Sequence, residues 1–352
     1  MTLSIVIPIY NAQAYIDHCL CSIDDTEVGD VEIICVNDGS TDETLSILRK
    51  WAEKDARIIL IDQENQGTMV ARKVGTIAAK GDYVTFIDPD DWFSTGAIKT
   101  ILETTQEYGD DILMYGTKAV NVGGNAKRLV REFEMRQNTF PDYIDGNVQM
   151  IEECFDKRNI EWNIWGKVYR RELIKQAFSL LPDTKCVYAE DRYTTFVIFT
   201  FAKSFRGIRE SLWNYSFGLG ISSRKKMSIN DYKLMVESLE MSEWTLDFAR
   251  MYFPKDSVII SWINRMFKNL ILEVISLHRR IEGLKSFNDV AGIITHGKSS
   301  QYATWVYGEV IKNLEREKDY IAKKNIKHLK ILRIESMVLV FLLLIILYWL
   351  IG

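Results

Sequence analysis

The first 117 residues alternate between apolar runs of β-favouring residues and segments whose apolar residues have helical spacing. The apolar runs cover residues 4–10, 31–36, 57–61, 83–87 and 111–116, and the helical segments cover 14–23, 41–54, 69–79 and 95–107. The runs show little polar alternation, which is typical of parallel strands covered on both faces. Strand–helix alternation of this length predicts a doubly wound α/β domain.

Polar clusters follow three of the predicted strands. Residues 8–11 (PIYN) end the first run, residues 37–40 (NDGS) end the second, and residues 88–91 (DPDD) end the fourth. In open α/β sheets, ligands bind in the crevice beyond the carboxyl ends of the strands. We therefore expect the three clusters to form one site.

The cluster after the fourth run places the carboxylates of Asp88, Asp90 and Asp91 within four positions. Carboxylates this close repel each other unless a cation offsets their charge, and Mg²⁺ and Mn²⁺ favour carboxylate oxygens. Such a cation would also neutralise a diphosphate leaving group. The alternative is a solvated turn that caps the helix beginning near Thr95. The residues by themselves leave both interpretations open.

The second cluster belongs to NDGSTDET, residues 37–44. Ser40 and Glu43 have the spacing of a capping box, and Gly39 permits a tight turn, so a helix start is predicted here. A capping box does not explain Asp38, whose carboxylate can accept a hydrogen bond from a ring N–H of a nucleotide base. Asp38 is therefore a candidate ligand contact.

Two common phosphate-binding patterns do not occur in the sequence. Neither GxGxxG after a strand nor GxxxxGK[ST] is present, which disfavours a Rossmann dinucleotide site and a P-loop kinase. The formal net charge of −4 argues against a dominant nucleic-acid-binding surface.

Five segments resemble, in their order along the chain, the motifs of family 2 glycosyltransferases, which have the GT-A fold. They are SIVIPIYN (4–11), VNDGSTDET (36–44), NQGTMVARKVGTIAAKGDYVTFIDPDDW (65–92), WGKVYRRELI (165–174) and AEDRYT (189–194). The resemblance covers roughly residues 3 to 225 and implies a GT-A-like domain that binds a nucleotide-sugar. By this resemblance, Pro8 and Tyr10 line the nucleoside pocket, Asp38 recognises the base and Arg72 lines the nucleotide site.

The resemblance also implies a metal pair and a general base. Asp88 and Asp90 match the pair that holds Mn²⁺ or Mg²⁺, with Asp90 the direct ligand and Asp88 nearer the ribose or sugar. Asp91 is implied to be an acceptor-side or structural residue. Asp191 matches the carboxylate that takes a proton from the acceptor hydroxyl, a task that suits a carboxylate. Without the resemblance, Glu190 and Asp191 would be read as an exposed acidic turn or a partner for the following arginine.

Several positions depart from the family pattern. Met69 and Lys73 replace the usual serine and asparagine, and Gly166 stands where asparagine is common. Lys167 and Arg170 could contact phosphate or solvate a helix start, and neither is assigned.

The loop at residues 218–225 occupies the place of a segment that often closes over the donor but lacks its usual motif. Ser222, Ser223 and Arg224 are candidates for closing the diphosphate site. Residues 150–217 are rich in aromatic side chains, for which the sequence indicates no role.

The C-terminal part of the chain is predicted to be helical from about Ser228. Residues 337–351 are an uncharged apolar run of roughly 22 Å as a helix, preceded by a lysine- and arginine-rich segment. This pattern favours a membrane-associated helix facing the cytosol. A buried helix or a contact in an oligomer is the alternative. The absence of a signal-peptide pattern at Met1 and the odd count of five cysteines agree with a location at the cytoplasmic face of the membrane.

We therefore predict four regions: a nucleotide-sugar-binding α/β half (1–117), an acceptor half (118–227), a helical region (228–335) and a membrane-associated helix (336–352). The predicted function is inverting, metal-dependent transfer of a sugar from a nucleotide-sugar to a glycan or lipid-linked acceptor in cell-surface polysaccharide synthesis. The alternatives are a nucleotidyltransferase that makes an activated sugar or lipid head group, and a non-catalytic scaffold with the same fold.

Overall fold

A computed structural model of the chain describes residues 1–23, 30–124, 126–186, 190–219, 228–237, 239–276 and 308. The strands among these residues are β1 (Leu3–Ile9), β2 (Val31–Asp38), β3 (Ile58–Gln63), β4 (Tyr83–Phe86), β5 (Trp92–Phe93), β6 (Ile112–Asn121), β7 (Tyr143–Asp145), β8 (Lys167–Arg170) and β9 (Ser204–Phe217).

The helices among the described residues are α1 (Ile16–Cys21), α2 (Thr44–Lys54), α3 (Thr68–Ala78), α4 (Ala97–Tyr108), α5 (Lys127–Gln137), α6 (Asn147–Ile151), α7 (Arg171–Ser179), α8 (Glu190–Phe201), α9 (Ile229–Glu237), α10 (Glu240–Tyr252) and α11 (Val258–Ser276). A π-helical turn, Glu152–Asp156, continues α6.

The strands form one mixed sheet in the order β3-β2-β1-β4-β8-β6-β9-β5, with β7 paired to β9. Strands β3, β2, β1 and β4 are mutually parallel, with Leu3 of β1 opposite both Val31 of β2 and Tyr83 of β4. Strand β8 runs antiparallel between β4 and β6. Because β1, β2 and β4 are parallel, the loops that follow them leave the same edge of the sheet, as predicted.

Both faces of the sheet are covered, which explains the apolar character of the early strands. Ile5 and Ile7 of β1 belong to one core cluster, together with buried residues of α1, α2 and α4. Val6 between them belongs to the other cluster, with buried residues of α3, α7 and α8. Successive side chains of a strand point to opposite faces, so one continuous apolar run supplies both cores.

The predicted α/β class is confirmed, and the five predicted strands correspond to β1, β2, β3, β4 and β6. The sheet is mixed rather than wholly parallel because β8 inserts antiparallel between β4 and β6. Strands β5, β7, β8 and β9 were not predicted. The strand β8 is short, and its motif WGKVYRREL reads as the start of a helix, which in fact begins at Arg171.

The described part of residues 228–335 consists of α9, α10 and α11, as the predicted helical region requires. Residues 1–219 and 239–267, as far as the structure describes them, belong to one compact unit, and residues 228–237 and 268–276 belong to a second. The predicted membrane-associated helix at 336–352 lies outside the described residues. Among the helices that are described, none has the length and hydropathy needed to cross a bilayer. The four-region division remains a prediction.

Candidate functional site

Arg72 joins two carboxylates that are distant in sequence. Its Nη1 donates a hydrogen bond of 2.8 Å to Oδ1 of Asp191, and its Nη2 donates one of 3.0 Å to Oδ1 of Asp88. The Arg72 side chain is 5% exposed, whereas the Asp88 and Asp191 side chains are 26% and 25% exposed. A buried guanidinium thus holds two partly accessible carboxylates at the carboxyl edge of the sheet. The predicted convergence of Arg72, Asp88 and Asp191 is present in the structure.

The position of Arg72 follows from the close packing of α3 on β1. Gly75, three positions further along α3, faces Val6, and a Cβ at Gly75 would lie 2.3 Å from Cγ1 of Val6. No larger residue fits here without moving the helix. Arg72, on the same helix, is buried. Burial disfavours its charge, and Asp191 and Asp88 favour it. The net result is a pKa for Arg72 above its ordinary value, so the guanidinium is charged.

Asp38 is buried and organises the chain that leads into α3. Its Oδ1 accepts hydrogen bonds from Nε2 of Gln63 and from the backbone N–H of Gln66, each 2.8 Å long. Its Oδ2 accepts one from the N–H of Gly67, also 2.8 Å, and Gly67 has a φ of 90° that favours glycine. A carboxylate offers about four acceptor positions, and the protein itself fills three of those of Asp38, which is 2% exposed. The role of Asp38 in base recognition stays a prediction.

The loops after β1 and β2 are held together by hydrogen bonds. The backbone N–H of Asn11 donates to Oγ of Ser40 at 3.0 Å, and the N–H of Thr41 donates to Oδ1 of Asn11 at 2.8 Å. Pro8 is buried at the end of β1, opposite Val36 of β2, whereas Tyr10 is 51% exposed. Tyr10 is therefore available to a ligand at this edge, and Pro8 supports the loop from within the sheet.

The capping box predicted for Ser40 and Glu43 is wrong. Helix α2 begins at Thr44, and no side-chain hydrogen bond caps its start. Instead, Ser40 accepts the hydrogen bond from Asn11, and the N–H of Thr44 donates to Oδ1 of Asp42 at 3.0 Å. Ser40 is thus used in the contact between loops, and Asp42 supplies the local acceptor at the helix start.

The three carboxylates after β4 have different surroundings. Asp91 is buried and accepts hydrogen bonds from the backbone N–H of Ser216 (2.7 Å) and from Nε1 of Trp213 (3.2 Å). The Ser216 hydroxyl also donates to the backbone oxygen of Asp90. Asp91 is thus the structural member of the cluster, fastening the loop to β9, and this agrees with one of its two implied roles.

Asp88 and Asp90 remain as the pair that could hold a cation. Burial, and then the neighbouring Asp88 carboxylate, raise the pKa of Asp90 to about 6. Two carboxylates with this mutual repulsion suit a divalent cation, which would relieve it. Among the described residues, no group of three or more histidine, cysteine or acidic side chains has metal-binding geometry. Mg²⁺ is commonly held by one or two carboxylates plus substrate phosphates, so the pair fits such an ion.

Glu190 and Asp191 form the first turn of α8. Burial, and then Asp191, raise the pKa of Glu190 to about 7. Burial also raises the pKa of Asp191, although Arg72 opposes this shift and Asp88 adds to it. The interpretation of this pair as an exposed acidic turn is thereby excluded, since Asp191 binds Arg72. A carboxylate with a raised pKa is a stronger proton acceptor in its ionised form, as a general base requires.

Lys167 and Arg170 are engaged by groups of the protein itself. Lys167 is fully buried, and its Nζ donates to the backbone oxygens of Glu161 (2.9 Å) and Asn163 (2.6 Å). Burial lowers the pKa of Lys167 to about 8. Arg170 donates from Nε to Oδ1 of Asp111 at 3.0 Å. In this structure, Lys167 is therefore neither a solvated residue at a helix start nor free for a phosphate contact.

Some departures from the family pattern now have a local explanation. Gly166 has a φ of 72°, a conformation that glycine and asparagine adopt most readily, so either residue satisfies this turn. Lys73, which stands where asparagine is usual, donates to Oδ1 of Asp183 and to the backbone oxygen of Leu181. Residues 187–189 and 220–227 lie outside the described part of the chain, including Ser222, Ser223 and Arg224.

The sequence motifs did not reveal that β9 contributes to the site. Trp213 and Ser216 both donate hydrogen bonds to Asp91. They follow it in the chain by 122 and 125 positions. The only signal in the sequence was the density of aromatic residues before Phe217.

Comparison with known proteins identifies the domain. The sequence model described as "Glycosyl transferase family 2" matches residues 4–178. This chain carries a family 2 glycosyltransferase domain. The match includes the predicted nucleotide-sugar and metal residues. Asp191, at the start of α8, lies beyond it, as do the candidates Ser222, Ser223 and Arg224.

Three curated relatives are similar to this chain. The glycosyltransferase GlyA of Streptococcus pneumoniae is 29% identical over 226 residues, which are 63% of this chain and 31% of GlyA. EpsJ of Bacillus subtilis, an uncharacterised glycosyltransferase, is 30% identical over 220 residues, 60% of each chain. TarS of Staphylococcus aureus, a poly(ribitol-phosphate) β-N-acetylglucosaminyltransferase, is 25% identical over 274 residues, 76% of this chain and 44% of TarS. The chain therefore spans less than two thirds of the length of each relative.

A solved structure shares the fold. Residues 1–349 of S. aureus TarS in complex with UDP-GlcNAc superpose with a TM-score of 0.53 at 20% identity, covering 78% of this chain and 81% of that one. This likeness supports the GT-A-like α/β fold with its mixed sheet.

Proposed function

We propose that this chain is an inverting, metal-dependent glycosyltransferase that moves a sugar from a nucleotide-sugar to a hydroxyl of a glycan or lipid-linked acceptor. One observation carries the proposal: Arg72 holds Asp191 and Asp88 together at the edge where nucleotide-sugar-binding residues are expected. A base beside the predicted diphosphate site is the arrangement that sugar transfer to a hydroxyl requires. The family 2 domain and the UDP-GlcNAc complex of TarS support a nucleotide-sugar donor.

In the proposed reaction, Asp191 accepts the proton of the acceptor hydroxyl as the acceptor oxygen bonds to the anomeric carbon of the donor sugar. The bond from that carbon to the diphosphate oxygen breaks, and its electron pair leaves with the nucleoside diphosphate. This single displacement inverts the anomeric configuration. General base catalysis by a positioned carboxylate contributes about 10²–10⁴-fold to such steps.

Arg72 has a donor left for the departing diphosphate. Its Nε is buried and has no hydrogen-bond partner among the described residues, while Nη1 and Nη2 are engaged by carboxylates. A buried unpaired donor is costly, and a phosphate oxygen that reached this covered atom on donor binding would satisfy it. Mn²⁺ or Mg²⁺, when bound, would neutralise charge on the leaving diphosphate, and Asp88 and Asp90 would hold it.

A donor screen tests the proposed function. Purified full-length protein is incubated with a panel of UDP-, GDP-, CDP- and dTDP-sugars, with Mn²⁺, with Mg²⁺ or with EDTA, and nucleoside diphosphate release is measured. We expect release from at least one donor, with loss in EDTA. Asp191→Asn should abolish transfer yet bind the donor, whereas Asp247→Asn on α10 should behave as the wild type. Pyrophosphate release from a nucleoside triphosphate and a sugar phosphate would instead indicate the nucleotidyltransferase.

The acceptor class and location are part of the same proposal. TarS is named for transfer to poly(ribitol-phosphate), a polymeric acceptor, and this supports a cell-surface polymer as acceptor here. The apolar run at 337–351 and its basic flank support work at the cytoplasmic face of the membrane. A protein that lacks residues 330–352 should move from the membrane fraction to the soluble fraction on cell lysis. Retention in the membrane fraction would refute the anchoring part of the proposal.

A further inference from the structure

A cluster of aromatic rings surrounds Tyr215 of β9. It lies beside residues 88–91, which we call the carboxylate loop. Tyr215 packs against Trp165, with ring centroids 4.9 Å apart and planes 20° apart, and against Phe133, at 4.7 Å and 27°. Phe217 adds a fourth ring, 5.1 Å from Phe133. We name Phe133, Trp165, Tyr215 and Phe217 the aromatic shelf. Trp165 is buried, and the other three rings are partly exposed. The aromatic shelf therefore has a partly exposed apolar surface that packs on the buried indole of Trp165.

The shelf adjoins the proposed reaction centre. The residue after Tyr215, Ser216, donates its backbone N–H to Asp91, and Trp213, two positions before Tyr215, donates its indole N–H to the same carboxylate. Burial raises the pKa of Tyr215, and the charges of Asp91, Asp88, Asp90 and Asp191 raise it further. The Tyr215 side chain therefore shares an environment with the metal pair and the base, and its hydroxyl stays protonated.

Sheet order places the shelf on the acceptor side. Strands β1 and β2, which carry Tyr10 and Asp38 at or just beyond their ends, lie to one side of β4, and β9 lies to the other side. The carboxylate loop after β4 is thus between the predicted nucleoside site and Tyr215. A molecule that contacts both Tyr215 and Asp191 approaches from the side opposite the nucleoside.

The Tyr215 hydroxyl has an unused hydrogen-bonding capacity. It has no hydrogen-bond partner among the described residues, although phenolic hydroxyls in partly buried positions usually find one. Ligand sites combine apolar and aromatic surface with a few polar groups that fix orientation, and Tyr215 offers both. A pyranose ring has an apolar C–H face and polar hydroxyls, which matches this combination.

We propose that the aromatic shelf is the acceptor-sugar subsite: the acceptor pyranose packs on the ring of Tyr215 and accepts a hydrogen bond from its hydroxyl, which positions the attacking oxygen near Asp191. This inference rests on the proposed glycosyltransferase function and adds where the acceptor binds. Tyr215 is a positioning residue and does not take part in proton transfer.

Saturation-transfer difference NMR tests the subsite without turnover. Full-length protein is titrated with methyl α- and β-pyranosides of glucose, galactose, mannose and N-acetylglucosamine. At least one glycoside should bind the wild type through its ring protons, and Tyr215→Phe, which keeps the ring packing, should weaken that binding about fivefold, the value of one neutral hydrogen bond. Tyr252→Phe, on the 42% exposed tyrosine at the end of α10, should bind as the wild type does. Phe133→Leu is the second variant and should also weaken binding.

Two results would overturn the subsite: a wild type that binds no glycoside, or equal binding by wild type, Tyr215→Phe and Phe133→Leu. Neither depends on donor release, which tests the proposed function separately. Once a donor and acceptor are known, Tyr215→Phe should raise the acceptor KM about fivefold and leave the donor KM within about twofold. An equal change in both values would point to a merely structural tyrosine.

Discussion

Nη1 of Arg72 lies 2.8 Å from Oδ1 of Asp191, although the two residues are 119 positions apart in the chain. The guanidinium donates a second hydrogen bond to Asp88, so the predicted base and one member of the predicted metal pair share one cation. The charges of these side chains are therefore interdependent, and a change in any one of them alters the others.

Replacement of Arg72 should affect both stability and activity. Arg72→Gln leaves two partly exposed carboxylates without their cation, and we expect a loss of about 1–3 kcal/mol of unfolding free energy, below the value for fully buried pairs. Transfer should fall by more than about 100-fold because the diphosphate loses a charged donor. Thermal unfolding and donor-release assays measure the two effects. Arg128→Gln, which removes an 84% exposed arginine, is the control. An Arg72→Gln protein with normal transfer would contradict the proposed site.

The rate of sugar transfer should rise with pH as Glu190 and Asp191 ionise. Asp191 accepts a proton only when ionised, and its raised pKa keeps part of it protonated at low pH. Glu190, with a pKa of about 7, adds repulsion as it ionises. We expect kcat/KM to increase from pH 5 to about pH 7. In Glu190→Gln the inflection should move to lower pH, because removal of a neighbouring negative charge lowers the pKa of Asp191. An unchanged profile would show that this pair does not control catalysis.

The raised pKa of Glu190 should also make the stability of the fold depend on pH. The pKa of Glu190 is about 7 in the folded protein and about 4.3 in an unfolded chain. Between these values the folded state binds more protons than the unfolded state, so stability falls as pH rises. Glu190→Gln should remove this contribution and should be more stable than the wild type at pH 8, by thermal unfolding. Glu172→Gln, at a 76% exposed residue, should leave the pH dependence unaltered.

The carboxylates after β4 should separate into a structural and a metal-binding role. Asp91→Ala removes a buried acceptor from Ser216 and Trp213, and we expect a loss of about 1–3 kcal/mol in stability. Asp90→Asn should retain the fold but weaken Mn²⁺ binding, measured by calorimetry with nucleoside diphosphate present. If Asp91→Ala were stable and Asp90→Asn were not, the two assignments would be reversed.

Lys167 provides a test of the structural role that its contacts indicate. Lys167→Met keeps the length of the side chain but leaves the backbone oxygens of Glu161 and Asn163 without their donor. We expect a clear fall in melting temperature and an unchanged affinity for nucleoside diphosphate. Weakened nucleotide binding at unchanged stability would restore the phosphate contact.

The sequence predicted the half of the sheet that is formed by local pattern. Continuous apolar runs such as SIVIPIY are long enough to specify buried strands, and the parallel order follows from the helices between them. Strand β8 has four residues and β5 has two, too few for any periodicity, and their pairing depends on partners far along the chain. Strand β9 has 14 residues, but its contribution to the site depends on contacts with Asp91, 122 and 125 positions earlier in the chain, and local pattern does not reveal such contacts.

Site residues were predictable where a motif fixes them and not where tertiary contacts decide. The position after a strand drew attention to Asp88, Asp90 and Asp91, and the family resemblance implied that Asp88 and Asp90 are the metal pair, whereas the structural use of Asp91 depends on Trp213, 122 positions away. Ser40 illustrates the opposite error: its spacing to Glu43 predicted a local cap, but a hydrogen bond to the neighbouring loop at Asn11 is made instead.

The contact between Gly75 and Val6 has a consequence for how this chain tolerates substitution. Neither residue needs to touch a substrate, yet a single methyl group added at position 75 would push the helix away from the first strand and carry the guanidinium with it. Mutational scans should therefore find a sensitive position deep inside the molecule. Compensation should come from a smaller residue at position 6, before any substitution among the carboxylates.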